Sequence, residues 1–233
     1  MNIESLANPE LLAHRAAQFL IDVANRCIDE KDLFFLAISG GSTPRRMLEI
    51  LSESDDIPWE QVHVFQVDER IAPVGDPDRN ATMVGQSLFT QTFRRRFRLA
   101  GFWNMPVETD SLETAAIDYA TQMGHIVGVP VELDLIQLGL GDDGHTASLV
   151  PGDPVLEIQD RDVAVTETYQ GRRRMTFTTP LLLRAKEQMW LVSGEQKQAA
   201  AEKLLAGDPS IPASSAICPN ATLLIDAPAN PNP

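Results

Sequence analysis

Residues 138–152 read LGLGDDGHTASLVPG. Gly139, Gly141 and Gly144 fit G-x-G-x-x-G, the pattern of a dinucleotide-binding turn. Taken at face value, that pattern would make the chain a cofactor-binding βαβ fold. Two features argue against it. Such a unit runs to roughly 30 residues, with a long helix behind the third glycine. Here Pro151 stops any helix after about two turns. Asp142 and Asp143 would also repel a pyrophosphate where bare N–H groups should receive it. A catalytic loop suits the glycines better, because they permit the unusual backbone angles that aim a side chain into a cleft. His145 is a natural general base near neutral pH. A carboxylate beside it, Asp143, can fix its tautomer and stabilise its protonated form. The plainer alternative has Asp142 or Asp143 capping a short helix and His145 at the surface. The neighbouring motifs decide between the two.

Working outward, the loop follows a buried-strand run, ELDLIQLGLG. Before it, residues 9–30 form an amphipathic pattern with Asn8 as N-cap and Pro9 at the first helical position. LFFLAI, residues 33–38, has strand length. A helix is expected from Pro44 with Thr43 as its cap, and VHVFQVDER reads as a strand ending in Asp68, Glu69 and Arg70. Helices are expected over 81–92 and 111–124. Further on, VAVTETY and RRMTFTT read as strands joined by a turn at Gly171. QMWLVSG and ATLLID are strands, with a helix over 195–206 between them closed by Gly207. The pattern predicts an α/β fold of three layers, a mostly parallel sheet with helices on both faces. A single catalytic domain is expected over residues 1–227, with a disordered tail over 228–233. Ligands in such sheets bind beyond the carboxyl ends of the strands, so SGGSTP, DER and GDDGH should meet at one edge.

Each of those motifs suggests a role. SGGSTP lies between a buried strand and a helix, where Gly40, Gly41, Ser42 and Thr43 can offer backbone N–H groups and hydroxyls to an anion. No Lys-Ser/Thr pair follows the glycines, so a phosphate monoester fits better than a nucleoside triphosphate. Asp68 could act as a base or an orienting group, and Arg70 as a clamp on a carbonyl or phosphate. A phosphate monoester carries close to two negative charges at neutral pH. Arg174 and Lys197 are the candidates to oppose them.

Composition narrows the classes. The net charge of −14 argues against nucleic-acid or anionic-membrane partners. The basic run FRRRFR, residues 93–98, reads as a solvated helix end or loop. No apolar run approaches the ~20 residues of a membrane span. The N-terminus carries no secretory pattern, Cys27 and Cys218 make no disulfide framework, and no metal-ligand spacing is present. A cytoplasmic setting is expected, with no cofactor and no metal.

Together these residues resemble the 6-phosphogluconolactonase family, within the group that includes glucosamine-6-phosphate deaminase. ISGGSTP, VDER, GLGDDGHTASLVPG, RRMTFT and LVSGEQK occur in the family's order across roughly residues 11–226. The deaminases resembling this loop carry a glutamate where this chain has Val150, and a tyrosine where it has Arg70. The family's usual Ser-Asn pair is here Arg79-Asn80. The resemblance implies hydrolysis of a sugar-phosphate lactone by a monomer or homodimer without a cofactor. His145 would activate water, Asp143 or Asp68 would orient it, and Arg70 or loop N–H groups would hold the oxyanion. Gly40, Gly41, Ser42, Thr43, Arg174 and Lys197 would hold the phosphate. Two other readings stay open: an amino-sugar-phosphate isomerase-deaminase, and a non-enzymatic sugar-phosphate sensor.

Overall fold

The computed structural model describes residues 1–89 and 99–231. The run FRRRFR lies outside the described residues. The N-terminal part comprises β1 (Asn2–Leu6), α1 (Pro9–Lys31), β2 (Phe34–Ile38), α2 (Ser42–Glu53), β3 (Val62–Gln66), β4 (Asp68–Arg70), α3 (Asn80–Ser87) and β5 (Gly101–Trp103). It continues with α4 (Leu112–Val127), β6 (Leu135–Gly139), β7 (Val163–Val165), β8 (Arg174–Phe177) and α5 (Thr179–Leu183). The C-terminal part holds β9 (Glu187–Val192), α6 (Gln198–Ala206), α7 (Pro212–Ser215) and β10 (Ala221–Asp226).

Seven strands form a parallel sheet in the order β1-β10-β9-β6-β2-β3-β5. β2 is buried along its whole length because both faces are covered, which explains its unbroken apolar sequence. Strand alternation divides it between two cores. Phe34, Leu36 and Ile38 pack with Leu20 of α1 and Met47, Leu48 and Leu51 of α2. Phe35 and Ala37 join Tyr119 of α4 and Leu204 of α6 on the opposite face. The three-layer, mostly parallel α/β architecture expected from the sequence is therefore present. α1 starts where its cap predicts: Asn8 Oδ1 accepts from the Leu11 N–H at 2.9 Å. It stops at Asp32, whose φ of 62° leaves the helix. Among the described residues, no helix is long and apolar enough to cross a membrane.

Several local expectations need correction. VHVFQVDER is not one strand. The chain changes sheets at Val67, whose N–H donates to the Ile38 carbonyl at 3.0 Å while its own carbonyl accepts from Phe177 N–H at 2.8 Å. Asp68–Arg70 then pair with β8 in a separate antiparallel sheet, β4-β8-β7. α2 begins at Ser42 with Gly41 as N-cap, so Thr43 lies inside the helix and does not cap it. No helix follows Gly144: Thr146 and Leu149 make a bridge and tight turn. The helix expected over 81–92 runs Asn80–Ser87 and stops before Leu88 and Phe89, and residues 90–92 lie outside the described residues. β1 and β5 were not anticipated. β1 is exposed at three of its five positions and carries little of the apolar signal of a parallel strand. The tail is not free as far as Asn230. Ala229 is fully buried, and Asn230 Nδ2 donates to Ser5 Oγ at 3.0 Å.

Candidate active site

The ten residues singled out in the sequence all line one cleft of about 650 Å³. It opens beyond the carboxyl ends of β2, β6 and β9, where Ser39, Leu140 and Ser193 leave the sheet. β4 and β8 close another side with Asp68, Arg70 and Arg174.

The histidine loop is organised around its imidazole. His145 Nδ1 lies 2.6 Å from Asp143 Oδ1, which also accepts the His145 backbone N–H at 3.1 Å. The other oxygen, Asp143 Oδ2, accepts from the Tyr169 hydroxyl at 2.9 Å. Burial pushes the Asp143 carboxyl up. The donors from His145 and Tyr169 outweigh it and hold the group below the usual carboxylate range. An ionised Asp143 requires His145 Nδ1 to carry its proton, which leaves Nε2 as the basic nitrogen. Gly141 makes this fold-back possible, because a Cβ there would lie 2.1 Å from His145 Nδ1. Gly144 has φ +84°, and a Cβ there would meet Ile211 at 2.3 Å. Two glycines of the apparent dinucleotide fingerprint thus serve a histidine and a packing contact.

The SGGST turn presents a different chemistry. Gly41 has φ +110° and α2 starts without a side-chain cap, so its first N–H groups are offered to the cleft. A Cβ at Gly40 would fall 1.7 Å from Asn80 Oδ1. Asn80 occupies that space and donates to Asp68 Oδ1 at 3.0 Å and to the Asp68 carbonyl at 2.8 Å. Asp68 Oδ2 accepts from Ser148 Oγ at 2.5 Å. Asp68 is thus bonded to Ser148 and Asn80, and Asp143 is the carboxylate in contact with the His145 ring.

Cations converge from three elements. Arg70 and Arg174 are cross-strand partners, and the Nε of each is buried with no hydrogen-bond partner among the described residues. Burial pulls the Arg174 guanidinium below its ordinary value; Asp68 opposes that shift and Arg70 adds to it. A buried donor left unpaired costs about 1–3 kcal/mol. Lys197 Nζ, at the start of α6, pairs with Asp142 Oδ1 at 2.5 Å.

Comparison with known proteins places this arrangement. A family model described as glucosamine-6-phosphate isomerases/6-phosphogluconolactonase matches residues 7–225. The chain belongs to this family. A 6-phosphogluconolactonase from Synechocystis sp. is 36% identical over 208 residues, covering 88% of this chain and 85% of that protein. One from Pseudomonas aeruginosa is 32% identical over 203 residues, covering 83% and 82%. A 6-phosphogluconolactonase structure from Shewanella baltica superposes with a TM-score of 0.85 at 23% identity, covering 97% and 98%. A monomeric glucosamine-6-phosphate deaminase superposes at 0.83 with 20% identity, covering 98% of each chain. The fold is therefore common to both branches of the family and does not choose between them.

Four residues in or behind the cleft wall had no role assigned from the sequence. Tyr169 and Ser148 reach the site through contacts distant in sequence. Arg46, one turn into α2, lines the cleft and is held by Glu10 at 2.8 Å. Asn80 locks the glycine turn to Asp68. Glu69, by contrast, is structural. It accepts from Arg70, Asn80 and Ala81 N–H groups, Gln66 Nε2 and Arg79 Nε, and so anchors the start of α3. Arg79, where the family usually has serine, is buried against Glu69. Period-two alternation was the available signal: Asp68 and Arg70 share one face of a strand and Glu69 takes the other.

Proposed function

We propose that the protein hydrolyses 6-phospho-D-glucono-1,5-lactone to 6-phospho-D-gluconate, the hydrolytic step of the oxidative pentose phosphate pathway in the cytoplasm. One observation carries this reading: an Asp143-oriented imidazole shares a cleft with an uncapped helix start and the cations Arg70, Arg174 and Lys197. A δ-lactone is an activated ester, so water with a general base suffices. His145 Nε2 takes a proton from water as the water oxygen bonds to the lactone carbonyl carbon. Arg70, which lines the cleft, stabilises the oxyanion. As the carbonyl reforms, the bond to the ring oxygen breaks and the imidazolium returns its proton there. The Gly40–Thr43 turn, Arg174 and Lys197 hold the phosphate, so remote binding energy positions the reacting carbon. Asp68 acts by supporting this wall of the cleft.

Similarity to curated 6-phosphogluconolactonases supports the lactonase branch. So do Arg70 and the buried apolar Val150, where the resembling deaminases carry tyrosine and glutamate. Parallel incubations with the lactone and with glucosamine-6-phosphate test the reading. Lactone consumption without ammonia is expected. Ammonia release would move the chain to the deaminase branch, and tight 6-phosphogluconate binding without any turnover would make it a sensor.

A further inference from the structure

Tyr169 touches both halves of the cleft. Its hydroxyl donates to Asp143 Oδ2, and its ring meets the His145 ring edge-on with centroids 5.7 Å apart. The Arg174 guanidinium carbon lies 5.0 Å from the same ring. One aromatic side chain thus joins the general base to the anion clamp.

The backbone is built to hold it there. Tyr169 and Arg172 exchange both backbone hydrogen bonds, at 3.0 and 3.2 Å, around a two-residue turn. Gln170 and Gly171 have φ of +51° and +82°, the positive values a type I′ hairpin turn needs. Glycine adopts such angles freely, whereas Gln170 is strained. Its side chain compensates by donating from Nε2 to the Tyr169 hydroxyl at 3.3 Å and accepting from Arg174 at 3.4 Å. Arg172 ties the turn to the facing loop through Asp76 and Asp78.

We infer that Tyr169 is a positioning residue for the lactone hydrolysis: its hydroxyl fixes the Asp143 carboxylate, and thereby the direction and basicity of His145 Nε2. This inference rests on the function proposed above. Burial, and then the contact with Asp143, push the Tyr169 hydroxyl up from its ordinary value, so it remains a donor at neutral pH. The donated hydrogen bond withdraws negative charge from Asp143. Asp143 then stabilises the imidazolium less than it would without that hydrogen bond.

Tyr169→Phe keeps the ring under Arg174 and removes only the hydroxyl. Arg174, Arg70 and Asp68 on one side, and Asp142 with Lys197 on the other, stay as they are. The difference between variant and parent therefore reports the hydroxyl. The expected kcat loss is about tenfold, the scale of one hydrogen bond to a charged group, with KM close to the parent's. The acidic limb of the kcat/KM profile should move to higher pH. The NMR titration midpoint of the His145 ring, read without substrate, should move with it. Tyr169→Leu should add a rise in KM, because Arg174 loses the ring it lies against. A purely structural role would lower the melting temperature and leave the profile in place. Parental kcat and an unmoved limb in a lactone-hydrolysing enzyme would overturn the inference while leaving the reaction assignment intact. A shifted midpoint in a protein inert toward lactone would overturn the reaction assignment instead.

Discussion

Gly141→Ala isolates the geometry of the histidine loop in one methyl group. The Cβ would stand 2.1 Å from His145 Nδ1, 2.3 Å from Cε1 and 2.7 Å from Asp143 Oδ1. Ordinary van der Waals contact begins at 3.4 Å, so the imidazole must retreat by about 1.3 Å. That retreat breaks the 2.6 Å contact to Asp143 and carries Nε2 away from the reacting carbon. A misplacement of about 1 Å costs on the order of 100-fold in rate. The phosphate site lies on other elements, so KM should stay within about twofold. Gly141 does not have the positive φ of Gly144, so alanine suits its backbone and the variant should fold. The assay is lactone disappearance after in situ generation by glucose-6-phosphate dehydrogenase, with circular dichroism to verify folding. A folded Gly141→Ala enzyme with parental kcat would refute the assigned role of His145.

Lys197→Met should raise KM about tenfold with kcat little changed, as expected for an uncompensated phosphate contact; unchanged KM would remove Lys197 from the phosphate site. Gly85→Ala, on α3 with no atom of the described residues beyond its own helix within 4 Å of the new Cβ, should raise stability by roughly 0.5–1 kcal/mol. A thermal melt should show a higher midpoint, and a lower one would contradict the open space seen there. His63 is held neutral by burial, which lowers its pKa, and its Nδ1 accepts from Trp103 Nε1 at 3.1 Å. Its folded pKa lies below the ordinary 6.5, so the stability it contributes is present above 6.5 and is lost as pH falls toward the folded value. Denaturant melts at pH 7 and 5 should show a smaller acid loss in His63→Gln than in the parent, and equal losses would rule out His63 as a source.

What the sequence disclosed was the set of loops, because each polar motif follows an apolar strand run. ISGGSTP after β2, LGDDGH after β6 and SGEQK after β9 fall at one sheet edge by the direction of parallel strands alone. The second sheet was hidden because Val67 continues the apolar alternation of β3 while its carbonyl already bonds to β8. The distinction between Asp68 and Asp143 was equally invisible. It depends on Ser148 and Asn80, which are 80 and 12 residues from Asp68 in the chain. Tyr169 sits in a hairpin whose strand signal said nothing of which side chain would reach Asp143. The fingerprint glycines misled for a local reason. Room for an imidazole and for Ile211 produces the same residue spacing as room for a pyrophosphate.

The most direct measurement is the initial rate of 6-phosphogluconolactone disappearance, above spontaneous hydrolysis, for the parent and His145→Asn side by side. The parent should accelerate the reaction, and His145→Asn should lose about 100-fold or more in kcat, the lower range for a general base, with KM nearly unchanged. Equal turnover by the two proteins would contradict the assignment of His145 as the base, and no acceleration by the parent would contradict the lactonase reading itself.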